Sequence, residues 1–220
     1  MSVWAIVVAA GSGSRFGSSV PKQYLPLAGR RVLDWSLAAA RSVCDGVVLV
    51  VAADRADAVE PLADHVVVGG STRSASVRAG LRALPGDASV VVVHDAARPA
   101  ASRRLFGAVV AAVCSGADGA VPGVPVTDTI KRTTTLGHQV WVADTPDRDT
   151  LVAVQTPQAF RVDALRAAHA SGAEATDDAA LVEAAGGRVQ VVPGELANRK
   201  ITVPDDLVAM EQYLGDTDED

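Results

Sequence analysis

The 220-residue chain is 49% hydrophobic and 21% charged, which is enough apolar mass to bury one α/β domain and too much for a disordered polymer. Its formal net charge is −6, but Asp216, Asp218, Glu219 and Asp220 crowd the last six residues, so the rest carries only −2. A general nucleic-acid or anionic-membrane binder needs a broad basic surface, so any anion site here must be local. The predicted elements begin with a strand over 3–9, then a helix over 32–43, strands over 46–53 and 65–68, and a helix over 73–84. A strand over 89–93, a helix over 102–114 and a strand over 120–124 follow, then a strand over 151–155 and helices over 161–170 and 177–185. A strand over 189–192 and a helix over 204–214 close the series. Continuous apolar strands alternating with helices predict a mainly parallel sheet covered on both faces, with ligands at the carboxyl ends of the strands.

No repeat or linker interrupts the pattern, so one domain over 1–214 is expected, with an acidic tail over 215–220 expected to be disordered. Within it, the polar stretch 127–150, with a Gly137-His138 turn, reads as a β-hairpin projecting from the sheet. A hairpin of that length is marginal alone and is expected to pack against a second subunit. The apolar run at 3–10 is too short for a membrane span and lacks a positive leader. Cys44 and Cys114 lie far apart without metal-ligand spacing and read as buried free thiols, so a reducing, cytoplasmic setting is expected.

Between the first strand and first helix lies "AAGSGSRFGSSVPKQYLPL". A dinucleotide fingerprint would place its third glycine at Phe16, and it arrives one residue late at Gly17; the phosphate-loop pattern fails at Phe16 and Ser18. What remains is a glycine-rich turn whose amides can face an anion, with Arg15 inside it and Lys22 fixed behind Pro21, or else a surface loop with two solvated cations. Only Lys22, Lys131 and Lys200 among 20 basic residues are lysines, which points to places where a compact ammonium is wanted. "GGSTRSASVRAGL" opens a helix with small residues where a flat ring can approach; read plainly, it is a helix capped by Ser71 or Ser74. "VVVVHDAARP" ends a buried strand with Asp95, suited to a ribose hydroxyl or a divalent cation, or to an ion pair with Arg98. His94 reads as a packed, hydrogen-bonded histidine, because no nucleophile motif accompanies it. In "TDDAAL", Thr176 is the expected cap, and Arg148 is expected to pair with Asp147 or Asp149 on the hairpin.

These segments, with "PVTDTIKR", "DRDTLVAVQTPQAF" and "NRKITVPDDL", occur in an order that resembles the 2-C-methyl-D-erythritol 4-phosphate cytidylyltransferase family over nearly the whole chain. The resemblance implies a Rossmann-like nucleotidyltransferase fold, dimeric through a protruding β-arm, transferring CMP from CTP to a sugar-alcohol phosphate with release of diphosphate. It implies catalytic roles for Arg15, Lys22, Arg148 and Lys200. CTP binding falls to Ala9, Ala10, Gly11, Ser12, Gly13, Ser14, Gly70, Ser71, Ser76, Asp95 and Ala96. Arg98, Thr129, Lys131, Arg148 and Lys200 would bind the acceptor, with the arm of one chain facing Lys200 of the other. Mg²⁺ or another divalent cation would bridge phosphate oxygens, with Asp95 as its one protein carboxylate. Because a phosphomonoester is already ionised near neutral pH, the chemistry needs positioning and charge stabilisation rather than a base.

Ribitol 5-phosphate cytidylyltransferases share the fold and the loop motifs, so the acceptor stays open at this stage. A non-catalytic nucleotide-binding module is a further alternative. A nicotinamide-dependent dehydrogenase is disfavoured by the displaced third glycine and the cations in the loop.

Overall fold

The computed structural model describes residues 1–11, 16–17 and 20–217. In chain order the elements are β1 (Ser2–Val8), a small hairpin of β2 (Pro26–Leu27) and β3 (Arg30–Arg31), α1 (Val32–Arg41), β4 (Gly46–Val51), β5 (His65–Val68), α2 (Arg73–Ala83) and β6 (Ala88–Asp95). They continue with α3 (Arg103–Cys114), β7 (Gly119–Pro125), β8 (Arg132–Leu136), β9 (Gln139–Asp144), β10 (Val152–Val154) and β11 (Gln158–Arg161). The remainder is α4 (Val162–His169), α5 (Asp178–Ala184), β12 (Val189–Pro193) and α6 (Pro204–Thr217).

One eight-stranded sheet runs β10–β7–β11–β6–β1–β4–β5, with β12 also on β7. The β5–β4–β1–β6 half is parallel, as is β7–β12, while β11 and β10 run antiparallel. Period-two side-chain alternation splits the core between the two faces. Ala5 and Val7 of β1 cluster with Leu49 and Val92 against Leu33 and Leu37 of α1 and Phe106 and Val109 of α3. Ile6, between them, clusters with Val50 and Val93 against Val77 and Leu81 of α2, Leu165 of α4 and Leu181 of α5. All six residues of β4 are buried, as a strand covered on both faces requires. Each such Val or Leu contributes roughly 1.5–3 kcal/mol of burial, so the strand ends are held firmly enough to carry a site. A third cluster, with Phe16, Leu27, Val32, Ile201 and Met210, packs α6 onto the small hairpin.

Five local expectations give way. The strand β11 is unpredicted, because Gln158-Ala159-Phe160-Arg161 shows neither an apolar run nor alternation, and only pairing to β6 and β7 on either side fixes it. Thr72, not Ser71 or Ser74, caps α2 by accepting from the Ala75 amide. Asp177, not Thr176, caps α5: its two oxygens serve the Ala180 amide and Gln158 Nε2, which one hydroxyl does less well. Cys44 is buried as expected, and burial pushes its thiol up to about 12, but Cys114 ends α3 exposed. The last helix also continues to Thr217, into the segment expected to be a disordered tail; 218–220 lie outside the described residues.

Two glycines in helices test this packing in opposite directions. A Cβ on Gly80 of α2 would lie 2.6 Å from Ile6 Cγ2, whereas one on Gly107 of α3 meets nothing within 4 Å. Gly80→Val is expected to cost about 1–3 kcal/mol by overpacking. Gly107→Ala is expected to gain up to about 1 kcal/mol from helix propensity. Urea denaturation of both variants measures this, and equal effects would contradict the core assignment.

Candidate active site

Parallel strands deliver their carboxyl ends to one edge of the sheet, and the chain opens a cleft of about 550 Å³ there. Its floor comes from the residues after β1 (Ala9, Ala10, Gly11), the stretch from Gly70 into the first turn of α2 (Gly70, Ser71, Thr72, Arg73, Ser76), and the end of β6 with the residues after it (Asp95, Ala96, Ala97). Small residues are needed where these segments meet. A Cβ on Gly69 would stand 2.6 Å from Ala10 Cβ and 2.7 Å from Ser76 Oγ, and one on Gly70 would stand 2.4 Å from Ala75 Cβ. Gln23, 4% exposed, anchors the mouth from below by donating to Ala9 O at 2.6 Å and Gly11 O at 3.1 Å.

The charges at this edge come from distant segments. Lys22 opens a short 3₁₀ turn after Pro21, and its Nζ donates to Ile201 O, tying the opening loop to the segment before α6. Lys200 Nζ lies 2.6 Å from Asp95 Oδ2, and Arg73 Nε lies 3.2 Å from Asp95 Oδ1. Burial by itself would raise the Asp95 carboxyl, but Arg73 and Lys200 outweigh it and hold the group well below the usual carboxylate range. Burial opposes the charge on Arg73 too, and Asp95 with Asp178 more than restores it, so Arg73 stays protonated. Among the described residues that line the cleft, Lys22, Arg73 and Lys200 are cationic and Asp95 is the one carboxylate, so the lining is more positive than negative in an acidic chain. His94 is buried behind this floor, tilted against Phe106, with Nδ1 3.1 Å from Thr156 Oγ1. Burial pushes it down to about 4, and it does not line the cleft, in keeping with a packed rather than catalytic histidine.

Of the residues expected at the site, Ala9, Ala10, Gly11, Lys22, Gly70, Ser71, Ser76, Asp95, Ala96 and Lys200 meet in this cleft. Ser12, Gly13, Ser14 and Arg15 lie outside the described residues. The direct Asp95–Arg98 ion pair is not formed: Arg98 Nη1 donates to Asn198 O at 2.8 Å and braces the loop beneath Lys200. Thr129, Lys131 and Arg148 are exposed on the arm and do not reach this cleft within one chain. Lys131 Nζ donates to Thr145 Oγ1 at 2.7 Å, while Arg148 donates to Thr127 O at 2.9 Å and lies 3.9 Å from Asp149, the pairing expected on the hairpin. Arg73 and Gln23 are the contributors that sequence reasoning passed over. The signal for Arg73 was a cation in the first turn of a helix, the end where the helix dipole disfavours positive charge, which implies a carboxylate partner.

The donor set does not make a protein metal cage. Asp95 is the one carboxylate lining the cleft, and both its oxygens already face cations. Among the described residues no three His, Cys, Asp or Glu side chains gather to hold a metal. The described lining therefore offers a divalent cation no ready-made set of oxygen ligands.

Comparison with known proteins turns this geometry into a family assignment. The family model for IspD, 2-C-methyl-D-erythritol 4-phosphate cytidylyltransferase, matches residues 3–216. The chain belongs to that family. A protein of that name from Nocardia farcinica is 44% identical over 222 residues, covering 97% of this chain and 94% of the relative. A bifunctional enzyme IspD/IspF of Clavibacter michiganensis is 46% identical over 223 residues, covering 96% of this chain and 54% of that protein. The chain thus spans a little over half the length of the bifunctional relatives it matches. The crystal structure of the 2-C-methyl-D-erythritol 4-phosphate cytidylyltransferase from Thermus thermophilus superposes with a TM-score of 0.79 at 37% identity, over 95% of this chain and 97% of that one. The family and the fold read from the ordered motifs are both borne out.

The buried His94 sets a pH dependence. An unfolded chain protonates this histidine near 6.5, whereas burial delays protonation in the fold to about 4. Between those values the unfolded state binds the extra proton, so stability should fall as pH falls, by up to about 3 kcal/mol. His94→Gln should flatten that slope. Denaturant titrations at roughly pH 7 and pH 5 measure it, and an unchanged slope would show that other groups carry the acid sensitivity.

Proposed function

We propose that the chain is a cytidylyltransferase that moves CMP from CTP to 2-C-methyl-D-erythritol 4-phosphate, releasing diphosphate, in the non-mevalonate route to isoprenoid precursors. The observation that carries this reading is the cationic cleft at the ends of β1 and β6, bounded by glycines and two of the chain's three lysines. An excess of positive charge is wanted where a triphosphate and a phosphomonoester, both anionic, must approach each other.

The acceptor phosphate oxygen attacks the α-phosphorus of CTP while the diphosphate leaves, and the protein stabilises charge through positioned cations. Lys22, with Arg15, holds the triphosphate; Lys200 faces the acceptor phosphate. The short Gly70, Ser71 and Ser76 leave room for a pyrimidine and crowd a purine, and Asp95 with Ala96 meets the ribose. Magnesium enters on the triphosphate and lowers the repulsion between the two substrates.

The arm belongs to the same reading. Strands β8 and β9 pair only with each other among the described residues, and Leu136, Val140, Trp141 and Val142 are all exposed on them. A homodimer in which each arm covers the other chain would bury these residues and carry Thr129, Lys131 and Arg148 to the partner's Lys200. No helix of the described chain is long and apolar enough to cross a membrane, and two unpaired cysteines suit a reducing cytoplasm.

A coupled diphosphate assay tests the reaction, with CTP, UTP, ATP and GTP each offered with methylerythritol phosphate and with ribitol phosphate. Release is expected with CTP and methylerythritol phosphate. CTP binding without release points to a binding module, and release with ribitol phosphate alone reassigns the acceptor. Lys22→Ala is expected to lower turnover on the order of 10²–10³-fold with little change in melting temperature. Arg148→Ala should spare CTP binding and damage acceptor use. Mixing Arg148→Ala and Lys200→Ala chains should restore activity through one intact shared site, and no restoration would count against the arm model.

A further inference from the structure

Asp95 is the visible end of a buried line of charges. Its Oδ1 faces Arg73 Nε at 3.2 Å; Arg73 Nη1 donates to Asp178 Oδ2 at 2.7 Å; Asp178 Oδ1 lies 2.9 Å from His169 Nε2. Lys200 stands at the outer end, so the signs alternate from Lys200 to Asp95, Arg73 and Asp178, across the loop before α6, β6, α2 and α5. Asp178 is fully buried and His169 is 4% exposed, and neither lines the cleft. A carboxylate only accepts, so His169 Nε2 donates and closes the inner end.

We propose that Arg73 and Asp178 are positioning residues: Asp178 fixes the Arg73 guanidinium, and Arg73 fixes the Asp95 carboxylate at the angle that presents it to the nucleotide and to Lys200. The inference rests on reading this cleft as the CTP site. The guanidinium fork serves two carboxylates at once through Nε and Nη1, and a lysine ammonium on a flexible stem cannot reproduce that geometry. Stability is a poor reason for such an arrangement, because buried ion pairs gain little net over well-packed apolar groups. The packing between α2, α4, α5 and the sheet is supplied by Val77, Leu81, Leu165 and Leu181. With Asp178 neutral, Arg73 would be balanced by Asp95 alone. Its fork would then turn to take both Asp95 oxygens, in competition with Lys200.

The test uses Asp178→Asn and Arg73→Lys in the full chain, with the dissociation constant for magnesium–CTP measured by calorimetry and steady-state kinetics run beside it. Each variant should bind CTP about tenfold more weakly, the scale of a lost hydrogen bond to a charged group. The double variant should be no worse than Arg73→Lys, because both changes act through one contact. A merely structural role would lower the melting temperature and leave CTP affinity of the folded protein unchanged. Affinity of Asp178→Asn within about twofold of wild type overturns the proposal. If Asp178→Asn does not fold, Arg73→Lys decides it by the same criterion. Wild type that binds CTP but transfers nothing, with Asp178→Asn still about tenfold weaker, sinks the transfer reaction and leaves the positioning role standing. Wild type that transfers CMP, with both variants unaltered, does the reverse.

Discussion

Asp95 is a carboxylate only 8% exposed at the end of a buried strand, and it stays ionised there because two cations from distant segments sit on its two oxygens. An isolated charge at such a place would cost several kcal/mol. The cost is met by bringing Arg73 from the first turn of α2 and Lys200 from the loop before α6, separated from Asp95 by 22 and 105 positions in the chain. That one constraint aligns three elements whose hydrophobic contacts would tolerate small displacements. It also takes the one carboxylate among the described lining residues out of the charge balance of the cleft.

Glycines and cations at this edge are two parts of one solution. The backbone segments at Ala10, Gly69–Gly70 and Ala75 pack against one another, so side chains there are small or absent. The charges then have to reach in from longer side chains rooted further away. Lys22 does this from a 3₁₀ turn, and the bond from its ammonium to Ile201 O makes the opening loop and the last loop neighbours. Gln23, next to it, holds the carbonyls of Ala9 and Gly11, while the Ala9 amide is held by Val50 O. Arg98, beneath, is spent on the carbonyl of Asn198. Of the cations lining the cleft, Arg73 thus has its second counter-charge, Asp178, buried away from it, while Asp95, which faces both Arg73 and Lys200, lies at the cleft itself.

How much of this was legible in the sequence depends on whether the deciding interaction was local. The apolar strands and amphipathic helices were, because side-chain periodicity is a local property, and their ends fell within two residues or so of the observed ones, apart from α6. The strand β11 was not, since Gln158–Arg161 is held by two neighbours rather than by its own pattern. The cap of α5 slipped by one residue for the same reason: Asp177 is favoured over Thr176 by Gln158, which lies in β11. Loop motifs pointed to the right edge of the sheet, yet Arg73 hid inside one of them, because its role appears only when Asp178, 105 positions away, arrives beside it.

The arm follows from the opposite physical situation. Where the core strands are covered on both faces, β8 and β9 are covered on neither: Val140 and Val142 point to one side of the ribbon and Trp141 to the other, and all three are exposed. A two-stranded ribbon with apolar side chains on both faces has no stable reason to project into water. The polar groups it carries, Thr129, Lys131 and Arg148, make only contacts within the arm itself or none that fix them to the body of the chain. Both deficits, uncovered apolar area and unassigned cations, are ones that the proposed dimer would remove. In the proposed reaction Lys22 with Arg15 would take the triphosphate and Lys200 the acceptor phosphate, which leaves that second phosphate in want of further cations. Those are the groups the arm has to offer.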